Sequence, residues 1–236
     1  MPCGNPVILG QVLPSDVGRP FIAALVVWVA TLSIGAAQPR PAAEALARSL
    51  QQRYQGIKDF SADFVHNYRG GVLKTQTQER GKVVVKKPSR MHWTYTAPEK
   101  KEFVSDGVKI YSYIPQDKQV IVSNVPAADQ ATTPALFLAG KGDIVRDFSA
   151  SYAEPAIPGT LALKLTPRRS ESDYEYLVIA VDPASLQMRA LTTRDREGGE
   201  STLVFNNLKE NRGISDKEFA FRIPRGVDVI TDGTHN

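Results

Sequence analysis

Just after Ile57 the chain changes its hydrophobic period. From Ala42 to Ile57 the apolar residues fall at Leu46, Leu50, Tyr54 and Ile57, with Gly56 near the end, a spacing that predicts one stripe on a helix. Beyond it the period is two. Phe60, Ala62 and Phe64 alternate with polar residues, and extended runs follow at GKVVVKK, RMHWTY, KEFVS, VKIYSYI and QVIVSNV. Asp106-Gly107 predicts a two-residue hairpin, and PQDK, Pro115 to Lys118, marks the next turn. LALKLTP, YLVIAVD, QMRALTTRD, STLVFNN and FAFRIP continue the style, divided by Asp182-Pro183, Gly198-Gly199 and Arg212-Gly213. The pattern predicts roughly eleven strands in one large antiparallel sheet, which must curl or close.

One segment breaks the alternation. In TTPALFLAGKGD, Thr133 is a candidate N-cap, Pro134 the first helical residue, Ala135 to Ala139 an apolar run and Gly140 a stop. A short helix that is apolar all round must press into something, and the concave face of the sheet is the natural place. The stretch PSRMHWTYTAP puts Met91, Trp93 and Tyr95 on one side of an extended chain and Arg90, His92 and Thr94 on the other. The first set is core or the wall of a ligand cavity; His92 is expected to point to solvent.

Composition then narrows the class. With 236 residues, 42% of them hydrophobic and 23% charged, the chain can build one domain with a sizeable core, which excludes disordered and fibrous classes. The net charge of +4 is spread among interspersed Lys/Arg and Asp/Glu with no basic block, an ordinary solvated surface rather than a nucleic-acid footprint.

The N-terminus points to export. Phe21 to Ala37 is uncharged and almost wholly apolar, follows Arg19 and ends with Gly35 and Ala37 at the minus-three and minus-one positions of a cleavage site, the layout of a secretory signal peptide. The run is short for a membrane span, and no basic stop-transfer segment follows. Residues 1–37 are therefore expected to be removed, leaving 38–236 as a single domain beginning at Gln38. Cys3, the sole cysteine, goes with the leader, so the exported protein has no thiol and no lipid-anchoring cysteine.

Catalytic chemistry is thin. His66, His92 and His235 are too dispersed for a metal site, and no H-E-x-x-H, G-x-S-x-G, P-loop or G-x-G-x-x-G occurs. Glu171 and Asp173 lie in polar turn sequence. The reading is a protein that is not an enzyme and has no metal, cofactor or catalytic residues.

In their order and spacing, KKPSRMHWTYTAPEKKEFVSDGVKIYSYIPQDKQV, TTPALFLAGKGD, LALKLTP and FAFRIPRGVDVI resemble the periplasmic outer-membrane lipoprotein carriers of the LolA family. The likeness covers nearly all of the chain after the leader. It implies an α+β fold: an incomplete, unclosed antiparallel β-barrel with an apolar interior and an α-helical lid over its mouth. It further implies a soluble periplasmic monomer that accepts triacylated lipoprotein cargo from the inner-membrane Lol ABC transporter complex and delivers it to the outer-membrane receptor LolB. On that basis the lipid cavity is expected to be walled by Leu46, Leu50, Phe60, Phe64, Met91, Trp93, Tyr95, Leu136, Phe137 and Leu138. Many carriers have an Arg directly before the Pro of the "KxP" motif, where it latches the lid. Here Lys87 stands there, a point charge in place of a planar fork of donors, so the expected latch is Lys87 or Arg90. Two other readings stay open: an envelope-stress sensor of related fold, and a carrier of another amphiphile such as a glycolipid.

Overall fold

The computed structural model describes residues 41–71, 74–126, 138, 140 and 142–231. Helix α1 (Ala43–Gln55) carries Leu46, Ala47 and Leu50 on its buried stripe. Strands β1 (Asp59–Arg69), β2 (Gln76–Lys86), β3 (Arg90–Ala97), β4 (Lys101–Asp106), β5 (Lys109–Ile114) and β6 (Gln119–Asn124) follow as a meander. Next come the short helix α2 (Ile144–Asp147) and strands β7 (Phe148–Ala153), β8 (Leu161–Pro167), β9 (Tyr176–Val181), β10 (Met188–Arg194) and β11 (Glu200–Glu210). A 3-10 turn (Asp216–Phe219) and β12 (Asp228–Thr231) complete the described elements.

The twelve strands form one sheet in the order β12-β6-β5-β4-β3-β2-β1-β11-β10-β9-β8-β7. All neighbours are antiparallel except β12, which runs parallel to β6. The end strands β12 and β7 are not hydrogen-bonded to each other, so the barrel is unclosed. Its long strands are joined by turns whose chemistry is local. Asp106 Oδ1 accepts from Val108 N and Lys109 N, both at 2.8 Å, while Gly107 takes φ +100°, a conformation that suits glycine.

Period-two burial turns one face of the sheet inward. Phe64, Val83, Val85, Met91 and Trp93 from one half, and Leu163, Leu165, Leu177, Ile179, Leu191 and Phe205 from the other, share a single apolar cluster with Leu46, Leu50 and Leu138. No helix among the described residues is long and apolar enough to cross a membrane.

Three elements differ from the sequence expectation. FSASYA forms the edge strand β7, unforeseen because its inward residues alternate with small serines rather than charges. DVIT forms β12 from a single parallel pairing, which leaves no turn signal in the sequence. FAFRIP is not a strand: Phe219 is buried at the end of the 3-10 turn, and Phe221 stacks on Tyr111 with ring centroids 5.1 Å apart. Side-chain anchoring holds this segment over the outer face of β3 to β5, where a ladder was expected.

Candidate functional site

Where α1 crosses the inner face, its packing is incomplete. Leu50, Arg53, Tyr54 and Ile57 form one wall of a pocket, Leu138 and Ile144 another, and Phe60, Ile179, Val181, Leu186, Met188, Leu208 and Glu210 the sheet side. The pocket is almost entirely apolar, with unfilled space of about 30 Å³ at its centre, room for one or two water molecules. In this state the protein's own side chains occupy the interior.

Polar groups ring the pocket. Arg53 Nη2 donates to Glu210 Oε2 at 2.8 Å and Arg53 Nε to the Ser185 carbonyl at 2.6 Å, tying α1 to β11 and to the β9–β10 turn. The Tyr54 hydroxyl donates to the Leu138 carbonyl, and burial pushes its phenol pKa upward. Lys87 Nζ donates to the Tyr54 carbonyl and lies 3.2 Å from the centroid of the Tyr54 ring. The Lys87 stem passes under Gly140, where an added Cβ would come within 2.8 Å of Cδ. Lys87 thus joins the end of β2 to the last turn of α1 and to Gly140, and it is half-buried.

Arg90 is not part of this group. Its Nη1 lies 3.6 Å from Asp216 Oδ1 and its Nε donates to the Asp106 carbonyl at 3.3 Å, because its position in β3 points it to the outer face. His92, on that same face, is engaged rather than free in solvent: Nε2 lies 2.6 Å from Glu102 Oε1 and Nδ1 2.8 Å from the Glu218 carbonyl oxygen.

Burial pushes the Lys87 ammonium down to about 8, and the Glu210 carboxylate acts the other way without cancelling it. The ordinary value is 10.5, so between pH of about 8 and 10.5 the unfolded chain binds more protons than the folded one. The contribution of Lys87 to stability therefore rises with pH across that window. Denaturant titrations should show this rise in the native protein and its absence in Lys87→Met; equal slopes for the two proteins would contradict the assignment.

Of the expected cavity residues, Leu50, Phe60 and Leu138 line the pocket. Leu46, Phe64, Met91 and Trp93 belong to the contiguous core, with Tyr95 packed against it; Leu136 and Phe137 lie outside the described residues. The sequence reading missed Arg53, Tyr54, Ile57, Ile144 and the whole wall from β9 to β11. Met188 and Leu208 sit in strands whose alternation marked an apolar face but not which part of it stays unfilled.

At the far end of the inner face His66 sits between Ser201 Oγ, 2.8 Å from Nε2, and Glu79 Oε2, 3.1 Å from Nδ1. The order is that of a nucleophile, base and carboxylate. Ser201, however, is the second residue of β11 and is paired with Tyr68 on one side and Thr193 on the other, so its backbone lies in the sheet ladder rather than at a helix N-terminus, where an oxyanion hole forms. Glu79 Oε1 is taken by Lys101 Nζ at 2.5 Å. These partners make the cluster a satisfied polar network that closes the apolar zone.

The sequence model of the outer membrane lipoprotein carrier protein LolA matches residues 55–222. The chain belongs to the LolA family. An outer-membrane lipoprotein carrier protein of Chromohalobacter salexigens is 30% identical over 190 residues, spanning 79% of this chain and 87% of the relative. One of Cupriavidus pinatubonensis is 27% identical over 209 residues, spanning 87% and 97%. An uncharacterized conserved protein from Thermus thermophilus shares the fold, with a TM-score of 0.50 at 12% identity over 79% of this chain and 99% of that one. The LolA match begins at the last residue of α1, so the α1 wall of the pocket, Leu50, Arg53 and Tyr54, is assigned from the structure.

Proposed function

We propose that this LolA-family chain shields the acyl chains of triacylated lipoproteins in the apolar interior beneath α1, and carries them through the periplasm from an inner-membrane Lol ABC transporter complex to a LolB receptor. The observation that supports the reading most is an apolar pocket on the inner face of an unclosed sheet, walled on one side by a helix that polar rim contacts hold in place. An acyl chain of roughly fifteen methylenes loses on the order of 10 kcal/mol when exposed to water, at about 0.8 per methylene. The Arg53–Glu210 pair on the rim is partly exposed, and such pairs contribute about 0 to 1 kcal/mol each. Acyl burial therefore outweighs the rim, and cargo shifts the population from the closed to an open state. Met188 suits a wall that repacks.

Mass spectrometry of lipid extracted from protein purified out of the envelope tests this. The expected ligand is a peptide bearing an acylated N-terminal cysteine, on a protein that begins at Gln38 and sediments as a monomer. A glycolipid would favour the other-amphiphile reading; an apolar interior empty of lipid together with a tightly bound regulatory protein would favour the stress sensor.

A further inference from the structure

Trp93 has a buried donor with nothing to donate to. Its side chain is 5% exposed, and its Nε1 is the one buried side-chain nitrogen or oxygen among the described residues without a hydrogen-bond partner. The surroundings explain this. Trp93 points inward from β3, meets Phe64 edge-on with centroids 5.1 Å apart, and is flanked across the sheet by Val83 and Phe103. These side chains offer no acceptor, and an indole N–H can only donate. Buried polar groups are otherwise nearly always paired, and a purely structural aromatic at this position would be served as well by Phe, which has no polar atom to leave unmet.

Trp93 also shares one continuous apolar cluster with Phe60, Leu50 and Leu138, which line the pocket. We infer that the Trp93 indole N–H is a cargo-recognition group: it donates to the carbonyl oxygen of an ester- or amide-linked acyl chain that has entered the interior. This rests on the carrier reading and adds a selection rule to it. A carboxylate would accept the same bond but would bring an uncompensated charge into apolar surroundings, which is costly. A saturated hydrocarbon offers no acceptor at all. The preferred ligand class is thus neutral acyl esters and amides, ahead of free fatty acids and of ether-linked chains.

The test uses the full-length chain and a pair of probes: a glycerol diester with two saturated long chains, and the glycerol diether carrying the same chains. The native protein should bind the diester more tightly by about fivefold, the ratio that a net hydrogen bond of ~1 kcal/mol gives. Trp93→Phe should weaken the diester alone and abolish the preference. A second reading needs no substitution at Trp93. Its indole N–H resonance, distinguished from that of Trp28 with a Trp28→Phe protein, should move downfield on adding the diester and stay in place with the diether. Equal affinities, or an indole resonance that responds alike to both, would overturn the inference while leaving the carrier reading intact. Failure of the native protein to bind either probe would contradict the carrier reading itself, and the inference with it.

Discussion

Replacing Phe64 by Ala is expected to cost about 3–5 kcal/mol of stability, the range for removing a fully buried aromatic ring. Phe64 is 2% exposed and stands at the centre of the inner face. Trp93 and Tyr95 pack edge-on against it with centroids at 5.1 and 4.9 Å, and such pairs add to the area they bury. The backbone has been shaped for this ring: a Cβ on Gly81, its cross-strand neighbour, would lie 2.8 Å from the Phe64 Cζ and 2.1 Å from the Thr94 carbonyl oxygen. Phe64→Leu, which keeps most of the volume, should cost much less, in the range of about 1–2 kcal/mol. Urea unfolding of the three proteins measures the difference. A loss below about 1 kcal/mol for Phe64→Ala would mean that the site collapses freely, and that the deformable part of the interior extends from the α1 pocket as far as β3.

The second large effect is expected on the outer face. Asp59 opens β1, is 4% exposed, and accepts from Arg212 N at 2.7 Å, Gly213 N at 3.1 Å and Ile214 N at 3.3 Å. Its carbonyl oxygen also accepts from Asn211 N at 2.8 Å. A single carboxylate thus fixes the turn that sends the chain from β11 across the outside of the sheet, where Phe219 and Phe221 anchor it. Asp59→Ala removes the charged acceptor and leaves those amides without it, a loss of about 2–3 kcal/mol, whereas Asp59→Asn retains one carbonyl acceptor and should fall between. Hydrogen exchange locates the damage. Amides of residues 211–219 should lose protection before those of β1 and β2; uniform loss across the sheet would show that Asp59 supports β1 itself.

Much of the fold was legible because its devices are local. Period-two alternation from Phe60 to Phe64 and from Met91 to Tyr95 fixed which face turns inward, and Asp106-Gly107 and PQDK fixed two hairpins. What was not legible depends on non-local partners. β12 exists only because β6 lies beside it, and FAFRIP alternates like a strand yet is held by Phe219 and by the stacking of Phe221 on Tyr111. The site was half legible for the same reason. Alternation identifies inward residues, such as Leu50, Phe60, Met91 and Trp93, but all of them look alike until the helix is placed. Met188 and Leu208 border the space left open under α1, whereas Met91 is buried in the filled part of the core. The family resemblance offered Lys87 or Arg90 as a latch; the contact Lys87 makes, with the Tyr54 carbonyl and ring, lies on a helix that no spacing in the sequence links to β2.

The most direct test of the carrier reading is photocrosslinking from the pocket. A benzophenone amino acid replaces Leu208, which is partly buried on the sheet side of the pocket, and in a second protein replaces Lys82, exposed on the outer face of β2. Each protein is mixed with membranes that contain acylated lipoproteins and a Lol ABC transporter complex supplied with ATP, then irradiated. The account predicts a covalent adduct to the acyl moiety of a lipoprotein from position 208 and none from position 82. Adducts from position 82 alone, or adducts from position 208 only to polypeptide without lipid, would contradict it.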